Sequence, residues 1–226
     1  MVTRKYVKRL EAQKNTRALR DLLYHPDSAI RRDTARALGN IKDENAADPL
    51  IHALGDEKFC VSFAARESLV KIGKPAVESV IQAIKDNKNS YTRWTLCEIL
   101  GCFEDKKTVG TLIEALHDEN RFVRADAALA LGRIGDVKAL RALTELLNDK
   151  DSYVKKQARK ALKRILRGMI SQVLADKSEL TEVEKQDLKD RALKLAQVLK
   201  LEIQFPETQE SRRVQSQVSD EKKPGK

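Results

Sequence analysis

The sequence predicts an all-α fold: an α-solenoid of about five stacked helix pairs with a 31-residue period, followed by one more helix and a tail. The first observation behind this is residues 120–136, NRFVRADAALALGRIGD. Here Val123, Ala127, Ala130, Leu131 and Ile134 recur at steps of three and four, while Gly132 and Gly135 stand where a helix loosens and stops. The second is repetition. Leu131 has counterparts at Leu38, Leu69, Leu100 and Leu162, each 31 residues from the next, and Ile134 has counterparts at Ile41, Ile72, Phe103 and Ile165. Val123 likewise maps onto Ile30, Val61, Thr92 and Val154. The third is a preceding register with the same period, Leu19, Leu50, Ile81, Leu112 and Leu143, which makes two helices per unit. One helix pair alone leaves its apolar stripe in water; stacking buries it, at roughly 1.5 to 3 kcal/mol for each fully buried Leu or Ile.

Residues 1–14 read as a capping helix over 3–13, with Tyr6, Val7 and Leu10 on one face and Arg4, Lys5, Lys8 and Arg9 elsewhere, covering the open end of the stack. The repeats occupy 15–175. In unit one, Asn15 or Thr16 caps the first (A) helix, 17–24, the His25-Pro26-Asp27 turn ends it, and the second (B) helix runs over 28–41. Unit two has its helices at 46–54 and 59–72, with Pro49 in the tolerant first turn. Unit three spans 74–84 and 90–103, unit four 109–116 and 122–134, and unit five 137–147 and 152 onward, toward Gly168 or Leu174. A different helix, within 176–203, opens on the capping box Thr181/Glu184 and carries Leu188, Ala192, Leu195 and Leu199 as one stripe. It serves either as a C-terminal cap or, through residues 181–201, for self-association. Residues 204–226 are rich in Pro, Gln, Ser, Glu, Lys and Arg and predict a disordered tail.

Composition narrows the function classes. The 226 residues are 41% hydrophobic and 35% charged, with no apolar run near the eighteen or so needed to cross a bilayer and no signal-peptide core at the start, so a cytoplasmic, membrane-free protein is expected. Three cysteines, Cys60, Cys97 and Cys102, without a Cys-x-x-Cys pair, argue for reduced thiols. The net charge of +10 is uneven. Residues 1–42 hold eleven Lys/Arg against four Asp/Glu and residues 136–165 nine against four, whereas 43–135 hold twelve against fifteen. The chain is basic toward its ends and slightly acidic between.

The pattern D-x-x-V-R-x-x-A-A-x-A-L-G-x-I-G-D, strongest at 120–136, clear at 27–43 and worn in units two and three at Ser62, Thr92 and Val70, resembles the short HEAT-like repeats of the phycobilisome-lyase type over about residues 15–166. The resemblance implies an armadillo-like, right-handed superhelix with A helices outside and B helices lining a concave groove. It also implies, as an alternative, an accessory subunit of a lyase-type enzyme, although fold analogy does not transfer activity. Arg31, Arg93 and Arg124 are expected to form a charge ladder with acids near the turns such as Asp27, Asp105 and Asp136; an anion site is the functional alternative.

Catalytic and metal motifs are missing from the sequence. His25, His52 and His117 have no His or Cys at i, i+3 or i+4, and the residues following them, Pro26, Ala53 and Asp118, are not the His-Glu pairs of the HEAT-type hydroxylases that hold iron. No phosphate loop or nucleophile elbow occurs. No catalytic residue, metal ligand or cofactor is therefore assigned, and the chain is read as a non-enzyme.

The informative positions are those where the repeats differ on the exposed B-helix face. One row reads Arg32, Phe63, Trp94, Ala125, Lys156, the next Arg36, Glu67, Glu98, Leu129, Lys160, and a third Ala29, Cys60, Tyr91, Phe122, Tyr153. Lining the groove, Phe63, Tyr91 and Trp94 would form a central aromatic patch beside Glu67 and Glu98, suited to a basic or amide-rich protein segment. Gap-filling between helices is the competing role for these rings. The leading reading is a protein-interaction scaffold. The alternative is nucleic-acid binding, with Arg32, Arg36, Lys156, Lys160 and Arg164 on phosphates and Trp94 stacking on a base, an arrangement that some HEAT-like DNA glycosylases suggest and that the acidic middle opposes.

Overall fold

The computed structural model describes residues 2–175 and 180–201, and among these all regular structure is helical. The expected tail, 204–226, lies outside the described residues. Helix α1, Arg4–Ala12, is capped by Thr3 and lies against α2, Thr16–Leu22, and α3, Ser28–Ile41, with Val7 and Leu10 buried. The remaining pairs are α4, Ala47–Ala53, with α5, Phe59–Ile72; α6, Val77–Asp86, with α7, Ser90–Phe103; α8, Val109–Ala115, with α9, Arg121–Ile134; and α10, Leu140–Glu145, with α11, Ser152–Leu174. Helix α12 follows at Glu182–Leu199. The chain divides into two units between Ile165 and Leu166, inside α11. The five pairs up to Ile165 belong to the first.

The repeat register is the core. Leu38, Leu69, Leu100 and Leu162 on the B helices are wholly buried and Leu131 nearly so; Leu19, Leu50, Leu112 and Leu143 on the A helices are also wholly buried. Unit three departs from the expected A-helix register: Val80 is buried where the period points to Ile81, which is half-exposed. Two of the A helices, α6 and α10, begin three residues after their expected starts at 74 and 137, α4 begins one after 46, and α8 begins at the expected 109. A single 3-10 turn precedes each, at Glu44–Ala46, Lys74–Ala76, Lys106–Thr108 and Val137–Ala139, and Pro75 fits the second of these because the first turn of a helix needs no amide from it. The B helices start on side-chain caps at 31-residue intervals. Asp27, Asn89, Asn120 and Asp151 accept from the backbone N–H groups of Ala29, Tyr91, Phe122 and Tyr153; Lys58, at the same position of unit two, offers no cap.

Two further periodic devices join unit to unit. On the B helices, Gly39, Gly101 and Gly132 each face a small residue of the next helix, Ser68, Ala130 and Ala161, at distances where a Cβ would come within 3 Å. The approach of α3 to α5 is close enough for the Ser68 hydroxyl to donate to the Ala35 carbonyl at 2.8 Å. In the turns, each arginine of the expected ladder is bidentate to an aspartate 25 residues on: Arg31 to Asp56, Arg93 to Asp118 and Arg124 to Asp149. Each also donates to two carbonyls of the turn before its own helix. The arginines are as expected, but the acids are not Asp27, Asp105 and Asp136. Those three cap helices with their own carboxylates, which leaves them facing the local N–H groups instead of the neighbouring unit. The hydrogen bond and charge of Asp56 raise the Arg31 pKa, and the same bond lowers that of Asp56.

Both devices lapse at one joint. In unit two Val70 replaces the glycine and faces Ile99 in the register, Ser62 replaces the arginine, and Asn87 stands where Asp56, Asp118 and Asp149 stand in the other turns. Helices α5 and α7 accordingly pack far less extensively than α3 with α5 or α7 with α9. A surface ion pair, Arg66 Nη1 to Glu98 Oε1 at 2.7 Å, spans the joint.

In α12 the capping box is formed, with Thr181 and Glu184 each accepting the other's backbone N–H. Its apolar stripe is covered: Ala192, Leu195 and Leu199 are buried and Leu188 half-buried.

Candidate functional site

The B-helix N-termini carry a row of rings. Tyr91 and Trp94 on α7 meet edge to face with centroids 5.5 Å apart; Trp94 is 6.1 Å from Phe122 on α9, and Phe122 is 6.4 Å from Tyr153 on α11. Four rings thus touch in sequence across three units. Tyr91, Phe122 and Tyr153 occupy the same position of successive B helices, one residue past the helix start, where the cap turns the chain and leaves the side chain outside the stack. They are 41%, 44% and 42% exposed. Trp94, one turn further in, is half-buried and its indole N–H donates to Asp126 Oδ2 at 2.6 Å. Burial pushes the Asp126 carboxyl above its ordinary range, the Trp94 bond acts against that, and the nearby Glu98 adds to the rise.

This arrangement corrects the expected patch. Phe63 does not join Tyr91 and Trp94; it pairs with Phe59 on its own helix at 5.9 Å and carries the Arg66 guanidinium over its ring at 5.1 Å. The reason is the loosened joint, which falls between α5 and α7 and separates the two groups of rings. Glu98 is engaged by Arg66, and Glu67 is half-buried on the α5 side of that joint. The rings not anticipated as a site are Phe122 and Tyr153, and the acid not anticipated is Asp126. Their signals were present as the 31-residue row through Tyr91 and as an acid 32 residues after the only tryptophan. A surface depression of ≈ 540 Å³ lined by Glu119, Asn120, Arg121, Phe122, Lys150 and Asp151 opens beside the ladder. Arg121 lies over the Phe122 ring at 4.7 Å and pairs with Asp151.

The candidate anion residues separate into two kinds. Arg32 is tied to Asp33 at 2.7 Å and Arg36 is exposed on α3, whereas Lys156, Lys160 and Arg164 are exposed on α11. Among the described residues no group of three or more His, Cys, Asp or Glu could hold a metal ion, and no helix is long and apolar enough to cross a membrane. Cys97 is buried, and that burial raises its thiol pKa to about 12; Cys60 and Cys102 are exposed.

No curated protein sequence matches the chain. Among solved structures it is similar to the CpcE–CpcF complex of phycocyanin lyase from Nostoc sp. PCC7120, with 20% identity, TM-score 0.53, and coverage of 77% of this chain and 99% of that one. It is also similar to an archaeal HEAT-like repeat protein from Thermococcus onnurineus NA1, with 14% identity, TM-score 0.47 and coverage of 88% and 98%. Computationally designed armadillo repeat proteins for modular peptide recognition match with 16% identity, TM-score 0.42 and coverage of 79% and 98%. The family model for HEAT repeats matches residues 16–86 and 77–163, which is most of the five helix pairs, and the chain belongs to the HEAT-repeat family.

Proposed function

We propose that the chain is a non-enzymatic interaction scaffold that holds a protein segment along the B-helix face, anchored on Tyr91, Trp94, Phe122 and Tyr153. The observation that carries this reading is the unbroken ring ladder, three of whose members keep about two-fifths of their surface in solvent. A core has no use for such exposure, and rigid aromatic surface beside a depression is what binding hot spots use. The Trp94–Asp126 bond fixes the half-buried ring, which lowers the entropy lost on binding. Because Glu98 already answers Arg66 and Asp126 answers Trp94, the anchor is apolar and aromatic rather than a selector of basic partners.

The test is selection of peptides from a displayed random library against the folded protein, followed by titration using Trp94 fluorescence, for which the single tryptophan gives an unambiguous signal. Enriched peptides are expected to lose roughly tenfold or more in affinity to a Phe122→Ala variant, about 1.4 kcal/mol or above. Peptides that bind wild type and a Tyr91→Ser/Phe122→Ser/Tyr153→Ser variant equally well exclude the ladder as the anchor.

A further inference from the structure

Beyond the ring ladder, we propose that the exposed face of α11 binds the phosphate backbone of a nucleic acid. From Asp151 to the next acid, Asp176, the chain holds no Asp or Glu, yet between 152 and 165 it holds Lys155, Lys156, Arg159, Lys160, Lys163 and Arg164. Their spacing makes two adjacent rows, 155/159/163 and 156/160/164, each stepping about 6 Å along the helix axis. Five of the six side chains are exposed and Lys163 is half-buried.

What distinguishes this face from the other basic surfaces is that, among the described residues, none of its cations is answered. Elsewhere many arginines sit on acids: Arg20 on Asp43, Arg31 on Asp56, Arg66 on Glu98, Arg93 on Asp118, Arg124 on Asp149. The side chains of these six cations enter no hydrogen bond or ion pair with any described residue. Like charges three and four residues apart on a helix repel, so the bare face weakens the helix and an anion laid along it removes the penalty.

The chemistry of the face also selects the class of anion. A stable protein interface needs an apolar centre, and between Tyr153 and residue 165 no large apolar side chain is exposed. A membrane-surface helix needs a free apolar face, and here Val154, Ala158, Ala161, Leu162 and Ile165 are all buried. A nucleic-acid backbone binds through charge alone, released counterions supplying the free energy.

The experiment is fluorescence anisotropy of the full chain with a labelled 20-nucleotide single strand and a 20-base-pair duplex at about 50 and 200 mM salt. Sodium polyglutamate and vesicles of anionic lipid serve as competitors. Four to six phosphate contacts should weaken binding roughly fifty- to a thousandfold over that range. A Lys156→Glu/Lys160→Glu/Arg164→Glu variant should bind at least about twentyfold more weakly at the lower salt, while the charge-matched Lys5→Glu/Lys8→Glu/Arg17→Glu variant stays within about threefold of wild type. Lys160→Ala alone should reduce the slope of log affinity against log salt by about 0.7 to 0.9, a readout that does not depend on the triple variant's folding. Absence of binding at the lower salt, or equal losses in the two charge-matched variants, overturns the proposal. Polyglutamate or vesicles that compete as well as nucleic acid overturn it in favour of an acidic protein or a lipid surface.

Discussion

Replacing Gly132 by alanine tests how the units are held together. An ideal Cβ at Gly132 would stand 2.7 Å from Ala161 Cα and 2.9 Å from its Cβ. Carbon atoms pack at about 3.5 to 4.0 Å, so α9 and the first turns of α11 would have to separate by close to 1 Å. The obstruction is backbone, and no rotamer change relieves it, which places the cost in the upper part of the usual overpacking range, about 2 to 3 kcal/mol. Alanine returns about 1 kcal/mol of helix propensity, leaving a net loss of about 1 to 2 kcal/mol. Gly110, near the start of α8, is the control, because a Cβ there meets nothing within 4 Å. Gly110→Ala should gain a few tenths to about 1 kcal/mol. Urea unfolding followed by far-UV circular dichroism reads both, and the two variants should move the midpoint in opposite directions. A Gly132→Ala midpoint at or above wild type would refute the close-approach account of the joints.

Four other perturbations follow from the same geometry. Lys58→Asn supplies the missing cap at an extended backbone position of α5 (φ −95°, ψ 112°) and should raise stability by about 0.5 to 2 kcal/mol, seen as a higher urea midpoint. Arg124→Ala strands the nearly buried Asp149 and should cost roughly 2 to 4 kcal/mol at neutral pH. Burial of Asp149 pushes its pKa up, but the Arg124 bond and the Asp151 backbone N–H bring it below 3.8, so this contribution is present above pH 3.8 and should fade as pH drops through the lowered value; unfolding curves of variant and wild type taken in steps from pH 7 to well below 3.8 should converge. Asp126→Asn keeps an acceptor for Trp94 without the buried charge. Since the Asp126 pKa is raised above 3.8, its ionisation costs stability at pH 7, so the variant should melt higher than wild type there, and the gap should close as pH falls toward 3.8. Ser62→Arg with Asn87→Asp installs the absent rung, and a double-mutant cycle should show a favourable coupling of about 1 to 2 kcal/mol; zero coupling would mean that α5 and α7 are held too far apart for the rung to close.

The B helices were legible because their period superimposes caps, apolar stripe and stop: α3, α5 and α7 begin and end where the pattern places them. The 3-10 turns opening α4, α6, α8 and α10 were not, because three residues are too few for a period of 3.0 to be told from the 3.6 of the α-helix that follows. The ladder arginines could be read from Val-Arg at a fixed place, but their partners could not be chosen from proximity in sequence. The turn aspartates already serve their own turns: Asp56, Asp118 and Asp149 each accept from the N–H two residues on while binding the arginine of the unit before. Asn87 makes the same local bond to Asn89, so the turn survives where the ion pair does not. The ring ladder was half legible. Tyr91 and Trp94 belong to it, but membership of Phe122 and exclusion of Phe63 depend on which joints are tight, a property of paired helices rather than of any one of them.

That dependence links the fold to the site. Unit two departs from its neighbours at the B-helix cap, Lys58, at the ladder, Ser62, and at the close-approach glycine, Val70, and the ladder's acid is lost at Asn87, in the turn between α6 and α7 of the next unit. Three of these four changes bear on the α5–α7 joint, and Lys58 leaves α5 itself uncapped. In a stack where each unit touches only its neighbours, stability is a sum of unit and joint terms, so a joint that lacks both devices contributes less than the others do. The ring ladder begins on the far side of that joint, on α7, and runs through α9 to α11 across the Gly101–Ala130 and Gly132–Ala161 contacts and the Arg93–Asp118 and Arg124–Asp149 rungs. Its rings are therefore mounted across the two joints that keep both devices, the fixed spacing that the proposed anchor needs, while the α5–α7 joint carries the Arg66–Glu98 pair in place of a ladder rung, a contact worth about 0 to 1 kcal/mol.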